Sequence, residues 1–188
     1  LDQFMKTGAN QRTDNYGGSI ENRARLMLDV VGAVVDEVGG GKVGLRLSPV
    51  TPANDVIDAD PQALFEYLVR QLAPLGLAYI HVIEGATGGP RVMADRPFDY
   101  AALKAAYRTA GGKGAWMVNN GYDKAMAEKA VADGADLVAF GVPYIANPDL
   151  VERFRLMAAG EPNVPLNTPD PSGFYYPGQG PIERGYTD

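Results

Sequence analysis

Four short apolar segments recur along the chain, starting near residues 43, 78, 115 and 137, and each is followed by a stretch with helical punctuation. Short apolar strands spaced by helices read as parallel strands covered on both faces, because antiparallel partners would need only tight turns between them. The first strand is Val43-Gly44-Leu45-Arg46-Leu47, closed by Ser48-Pro49, and the second covers residues 78–83. Ala115-Trp116-Met117-Val118 is the third, leaving through Asn119-Asn120-Gly121, and residues 137–140 form the fourth, leaving through Gly141.

Between them the helix signals are local. Ser19 caps a helix over residues 21–38, with Leu26, Val30, Val31, Val34 and Val35 on one side, and Gly39-Gly40-Gly41 stops it. Asp60 with Pro61 opens a helix expected to reach residue 75, just before Gly76. A third helix spans residues 100–109, Asp123 caps a fourth to about residue 133, and Asn147-Pro148 starts a last one to 159. The order is therefore α-βα-βα-βα-βα followed by a tail. This is α/β with a parallel sheet, either an open doubly wound sheet or part of an eight-stranded barrel. Half a barrel leaves two unpaired edges and an open core, so the second architecture needs a segment supplying the other strands.

Composition removes several classes of function. The chain has 188 residues, 46% of them hydrophobic, enough for one domain plus a tail and its core. With 17 basic against 23 acidic residues the net charge is −6, and without a Lys/Arg cluster nucleic acid is excluded as a partner. There is no cysteine, which excludes disulfides, iron–sulfur clusters and thiolate zinc sites and suits a cytoplasmic setting. The single histidine, His81, argues against a multi-histidine metal site. No apolar run approaches the ~18–20 residues of a membrane span, so no membrane partner is expected. Leu1-Asp2-Gln3-Phe4 has neither the basic nor the apolar part of a signal peptide. Without an initiator Met, it reads as a piece of a longer chain or a processed product.

Individual residues then carry the chemistry. Gly39-Gly40-Gly41-Lys42-Val43-Gly44 has dinucleotide-loop spacing, but a helix precedes it and a strand follows, the reverse of what that loop needs. Arg46 sits inside an apolar strand, where a charge must meet an anion or acceptor; this is a structural ion pair or a contact to a bound ligand. His81, between Ile80 and Val82, reads as a satisfied core histidine rather than a catalyst. Glu84 fits either a site or a loop edge. The glycine turns after the third and fourth strands are ordinary turn chemistry or a backbone cradle for phosphate.

Three stretches carry a family resemblance over essentially the whole chain. Asn10-Gln11-Arg12-Thr13-Asp14-Asn15-Tyr16-Gly17-Gly18-Ser19-Ile20-Glu21-Asn22-Arg23-Ala24-Arg25 resembles the signature loop of the Old Yellow Enzyme family. Val43 to Pro49 resembles that family's fifth barrel strand. Ala139-Phe140-Gly141-Val142-Pro143-Tyr144-Ile145-Ala146-Asn147-Pro148-Asp149-Leu150 is similar to its eighth strand and following loop, and Phe174-Tyr175 with Gly185-Tyr186-Thr187-Asp188 fits its tail.

The resemblance implies the C-terminal half, strands 5–8, of a (βα)8 TIM barrel that needs its N-terminal half as partner. Residues 1–160 would form the half-barrel and 161–188 a Pro/Gly-rich tail bordering the active site. The activity implied is an FMN-dependent NAD(P)H ene-reductase, which reduces small activated alkenes (enones, maleimides, nitroalkenes) with NADPH or NADH as reductant. Carried over by position, Arg46 would contact the pyrimidine edge of the flavin. Asn120, Gly121, Gly141 and Val142 would hold the FMN phosphate through backbone amides, Phe174 would flank the dimethylbenzene edge, and Tyr175 would border the substrate.

The family often has Arg where Val142 stands, so one charge contact to phosphate is missing here. Its substrate anchors and proton-donating Tyr lie upstream of Leu1, so the chain alone is expected to be inactive and no catalytic residue is assigned. Related reductases with a Cys-rich iron–sulfur segment are excluded by the absence of cysteine after Leu150. The competing reading is a non-catalytic half-barrel that binds a phosphate ligand or acts as a folding scaffold.

Overall fold

The computed structural model describes residues 1–53 and 56–170. The backbone falls into two compact units, one from Leu1 to Ala139 and the other from Phe140 onward. In the first, the elements run α1 (Asp2–Met5), α2 (Ile20–Val38), β1 (Gly44–Leu47), α3 (Pro61–Leu72), β2 (Tyr79–Ile83), α4 (Tyr100–Thr109), β3 (Ala115–Asn119), α5 (Lys124–Ala132) and β4 (Leu137–Ala139). The sheet is parallel throughout in the order β1-β2-β3-β4.

Helix starts follow their caps. The Ser19 side chain accepts from Asn22 N–H, Asp60 from Ala63 N–H and Asp123 from Met126 N–H, each satisfying one of the donors a first turn leaves open. Asp99 caps α4 in the same way. The α3 helix ends at Leu72, three residues before the expected stop, and Ala73–Leu75 tightens into a 3-10 turn. Pro74 has no N–H to continue the helical ladder.

Register decides what the apolar runs left open. Leu47, Ile80, Val82, Trp116 and Val118 are buried, and the alternation of side chains places them on the face that the helices cover. On the opposite face, Arg46 pairs with His81, His81 with Met117 and Met117 with Leu137, forming one row across the sheet. Arg46 is exposed, and Tyr79 and Leu137 on this face stay 36% and 43% exposed. A doubly wound sheet would have helices on both faces. Here the face of Arg46 is open at β1 and β4, although Ile83 toward its C-terminal end is buried, and among the described residues the outer edges of β1 and β4 are unpaired. That is the geometry of a partial barrel.

The segment before α2 is a clamp of polar groups. Asn10 donates to Phe4 O and Tyr16 O, while its own oxygen accepts from Arg12 N–H at 3.0 Å. A Cβ on Gly17 would lie 2.0 Å from Arg12 O, so only glycine fits there. Arg23, buried on α2, donates to Met5 O and Gly18 O and meets Asp58 at 2.6 Å. The signature loop is therefore built as a structural lock.

The second unit contains α6 (Val142–Ala146) and α7 (Leu150–Ala158). The expected single helix from Asn147 is corrected: a short helix precedes it, Asn147-Pro148 is the corner, and α7 begins at Leu150. Asn147 is buried and pairs reciprocally with Asn167, donating to its carbonyl and accepting from its N–H at 2.7 Å. Residues 161–170 carry no regular structure, as a Pro-rich sequence dictates.

Candidate functional site

The bare face of the sheet gathers the chemistry. Arg46 projects from β1 and, among the described residues, has neither an ion-pair nor a hydrogen-bond partner. Every salt bridge of the described residues lies elsewhere. The ion-pair reading of Arg46 thus has no carboxylate to rest on. His81, its register neighbour, is half-buried, and its Nε2 lacks a hydrogen-bond partner among the described residues. The expectation of a satisfied core histidine is corrected: Nε2 is shut off from solvent, yet no acceptor or donor among the described residues reaches it.

Burial, followed by the nearby Arg46 charge, lowers the His81 pKa below its ordinary value near 6.5. The folded chain therefore resists a proton that the unfolded chain accepts. Its contribution to stability is present above about pH 6.5 and is lost as pH falls through the lowered folded value. As His81 is the chain's single histidine, His81→Gln should flatten the pH dependence of unfolding free energy in that window. Identical slopes for the two proteins would refute the assignment.

At the C-terminal ends of the strands, Glu84 takes the loop-edge role. It accepts from the Tyr122 hydroxyl at 2.7 Å and lies 3.7 Å from Arg91 Nε. Burial, reinforced by hydrogen bonding to Glu84, pushes the Tyr122 phenol well above its ordinary pKa. Asn120 has φ 112°, a costly backbone for a non-glycine residue. Its side-chain amide donates to Glu84 O at 2.6 Å and Ala86 O at 2.9 Å, fastening the loop after β2. With the side chain so spent, any contact from Asn120 to a ligand falls to its backbone. Gly121 has φ 66°, and a Cβ built there meets no atom within 4 Å, so its backbone is open to close approach.

In the second unit, Gly141 precedes α6 with φ −108°, outside the left-handed region, and Val142 is exposed. No left-handed φ demands glycine at 141, and a Cβ built there meets no atom within 4 Å. Phe174 and Tyr175 lie outside the described residues. What sequence reasoning missed is the structural use of Asn120 and the Arg23–Asp58 pair. Their partners lie 34–36 and 35 residues away in the chain, beyond any local period.

A parallel sheet with helices on one side and two unpaired outer edges among the described residues is consistent with part of a β/α barrel. Comparisons with known proteins narrow the class. The family model described as NADH:flavin oxidoreductase / NADH oxidase matches residues 1–158, and the chain belongs to this family, that of Old Yellow Enzyme. It is 44% identical to 12-oxophytodienoate reductase 1 of Oryza sativa subsp. japonica over 100% of this chain and 46% of that protein. A probable flavin mononucleotide-dependent alkene reductase of Leishmania infantum is 42% identical, again over 100% of this chain and 46% of its own length.

Among solved structures, morphinone reductase aligns with TM-score 0.81 at 44% identity, covering 100% of this chain and 46% of that one. The old yellow enzyme from Trypanosoma cruzi gives TM-score 0.81 at 34% identity, covering 98% and 45%. The chain thus spans about half the length of the relatives it matches. Among the described residues no helix is long and apolar enough to cross a membrane.

Proposed function

We propose that the chain is the C-terminal half, strands 5–8, of an FMN-dependent NAD(P)H ene-reductase that reduces activated C=C bonds in small molecules such as enones. The observation that carries this reading is the bare sheet face with Arg46 on it, since a finished α/β protein leaves neither that face nor such a cation uncovered. The residues fit the flavin. The fit rests on a cation without a protein partner at Arg46 and an open, positive-φ glycine at 121.

FMN, when bound, would supply hydride-transfer chemistry between a reduced nicotinamide and the alkene. Arg46 orients the cofactor by donating to the acceptors of its pyrimidine edge, and its charge favours the reduced, more negative form. The N–H groups of Asn120 and Gly121 would hold the phosphate, a task backbone donors perform without a side-chain charge, and the family resemblance assigns the same role to Gly141 and Val142. Residues 1–160 form the half-barrel and 161–188 the tail that borders the substrate. The N-terminal half completes the barrel, excludes water and supplies the groups that orient the alkene and donate its proton.

Co-expression with a family N-terminal half tests this. The expected product is a yellow complex that reduces cyclohexenone with NADPH or NADH, while the chain alone gives no turnover. A complex that forms without flavin favours the scaffold reading instead.

The phosphate cradle has its own test. Gly121→Val forces a β-branched residue to φ 66° and should destabilise the fold as well as release flavin. Gly141→Val should leave folding intact and still weaken flavin retention by crowding the phosphate, while Val142→Ala should change little. Flavin release followed by fluorescence distinguishes them, and loss from Val142→Ala alone would point to side-chain rather than backbone contacts.

A further inference from the structure

On the helix-covered side of the sheet, away from Arg46, lies a half-open cleft of about 620 Å³ between α4 and α5. Its floor is Trp116 and Val118 of β3, and Met126 and Ala130 of α5 form an apolar wall. The α5 helix buries none of its residues, so its apolar side is left facing this space. A volume of this size falls within the range of small-molecule sites.

The roof is cationic. Arg91 and Arg96, from the loop between β2 and α4, line the cleft, with Lys104 and Lys129 at its sides. Two acids, Glu84 and Asp133, line the cleft with these four bases, and a third, Asp95, lies 3.6 Å from Arg96 Nε. Both lining acids are engaged: Glu84 with Tyr122 and Arg91, and Asp133 with Lys129 at 2.7 Å. Arg91 is held with its guanidinium 4.5 Å above the Tyr122 ring. Even so, Nη1 of Arg91 and Nη1 of Arg96 are each shut off from solvent with no hydrogen-bond partner among the described residues. A buried charged donor without an acceptor is costly, and two lining one cleft call for an anion.

We propose that this cleft binds a small organic anion, with its apolar body on Trp116, Val118 and Met126 and one carboxylate or phosphate head on Arg91 and Arg96. Carboxylate and phosphate oxygens share the chemistry that a guanidinium recognises, two parallel charge-assisted hydrogen bonds. The site lies across the sheet from Arg46, with Glu84 and Tyr122 bringing its edge next to Asn120 and Gly121.

The single tryptophan of the chain forms the floor and reports occupancy directly. The full 188-residue chain is titrated with octanoate, octyl phosphate, octanol and inorganic phosphate while Trp116 fluorescence is followed. The expected result is a saturable change with octanoate or octyl phosphate, and at least about tenfold weaker binding of octanol and of inorganic phosphate. Whichever of the two amphiphiles binds tighter identifies the head group.

Arg96→Gln and Arg91→Gln should each weaken that binding about tenfold or more, and Arg46→Ala should leave it unchanged. Octanol binding as tightly as octanoate and octyl phosphate, or no saturable change with any probe, overturns the proposal. Loss of binding in Arg46→Ala overturns it in favour of the flavin face. Should one arginine variant fail to fold, the octanol comparison on the unaltered chain still decides.

Discussion

Replacing Asp58 with Ala is expected to destabilise the protein by about 3–5 kcal/mol, the usual cost of removing one partner from a buried ion pair. Arg23 and Asp58 meet at 2.6 Å with side chains only 6% and 0% exposed. Asp58 also accepts from Thr7 N–H and Asp60 N–H, both at 2.9 Å, so one carboxylate ties together the segment before α2, α2 itself and the cap of α3. Without it Arg23 keeps its carbonyl acceptors, Met5 O and Gly18 O, but not its counter-charge.

The double variant Arg23→Met with Asp58→Ala should recover part of the loss, because no buried charge remains. Urea unfolding of the four proteins of this cycle measures it. A loss under about 1 kcal/mol for Asp58→Ala would mean that the pair behaves like a surface salt bridge.

The same pair shows what the sequence made legible and what it hid. Strand positions, the capping residues Ser19, Asp60 and Asp123, and the helix-stopping role of Gly39 were readable, because each is written in a few neighbouring residues. The choice between an open sheet and a barrel was not. Strands of four or five residues look uniformly apolar, and only register puts Arg46, His81, Met117 and Leu137 in one uncovered row.

His81 was misread for that reason: its sequence neighbours Ile80 and Val82 point to the helices while it points to the bare face. The break between α6 and α7 was blurred because Pro143 and Pro148 both sit where a helix can begin, and both turned out to flank a start. Of the candidate site, Arg46 and the glycine turn at 121 were visible from residue type. The use of the Asn120 amide to hold Glu84 O and Ala86 O depends on a loop returning from far along the chain.

Arg46→Ala is the substitution in which flavin binding and folding should separate. Arg46 is exposed and has no hydrogen-bond or ion-pair partner among the described residues, so truncation leaves no orphaned carboxylate. Folding stability should change by no more than about 0.5 kcal/mol, as for other surface positions. In the assembled flavoprotein, the flavin would lose a charged donor worth about 1.5–3 kcal/mol, which corresponds to roughly ten- to a hundredfold weaker FMN binding.

The reduction potential should fall, since the cation favours the more negative reduced form. His81 offers an independent reading. Its pKa is lowered by burial first and by Arg46 second, so removing Arg46 should move the titration of the chain's single histidine upward, measurable by NMR. If stability drops by several kcal/mol while FMN affinity and potential stay unchanged, Arg46 serves the fold rather than the flavin. An upward His81 shift with unchanged stability and weakened FMN binding places its charge on the cofactor face.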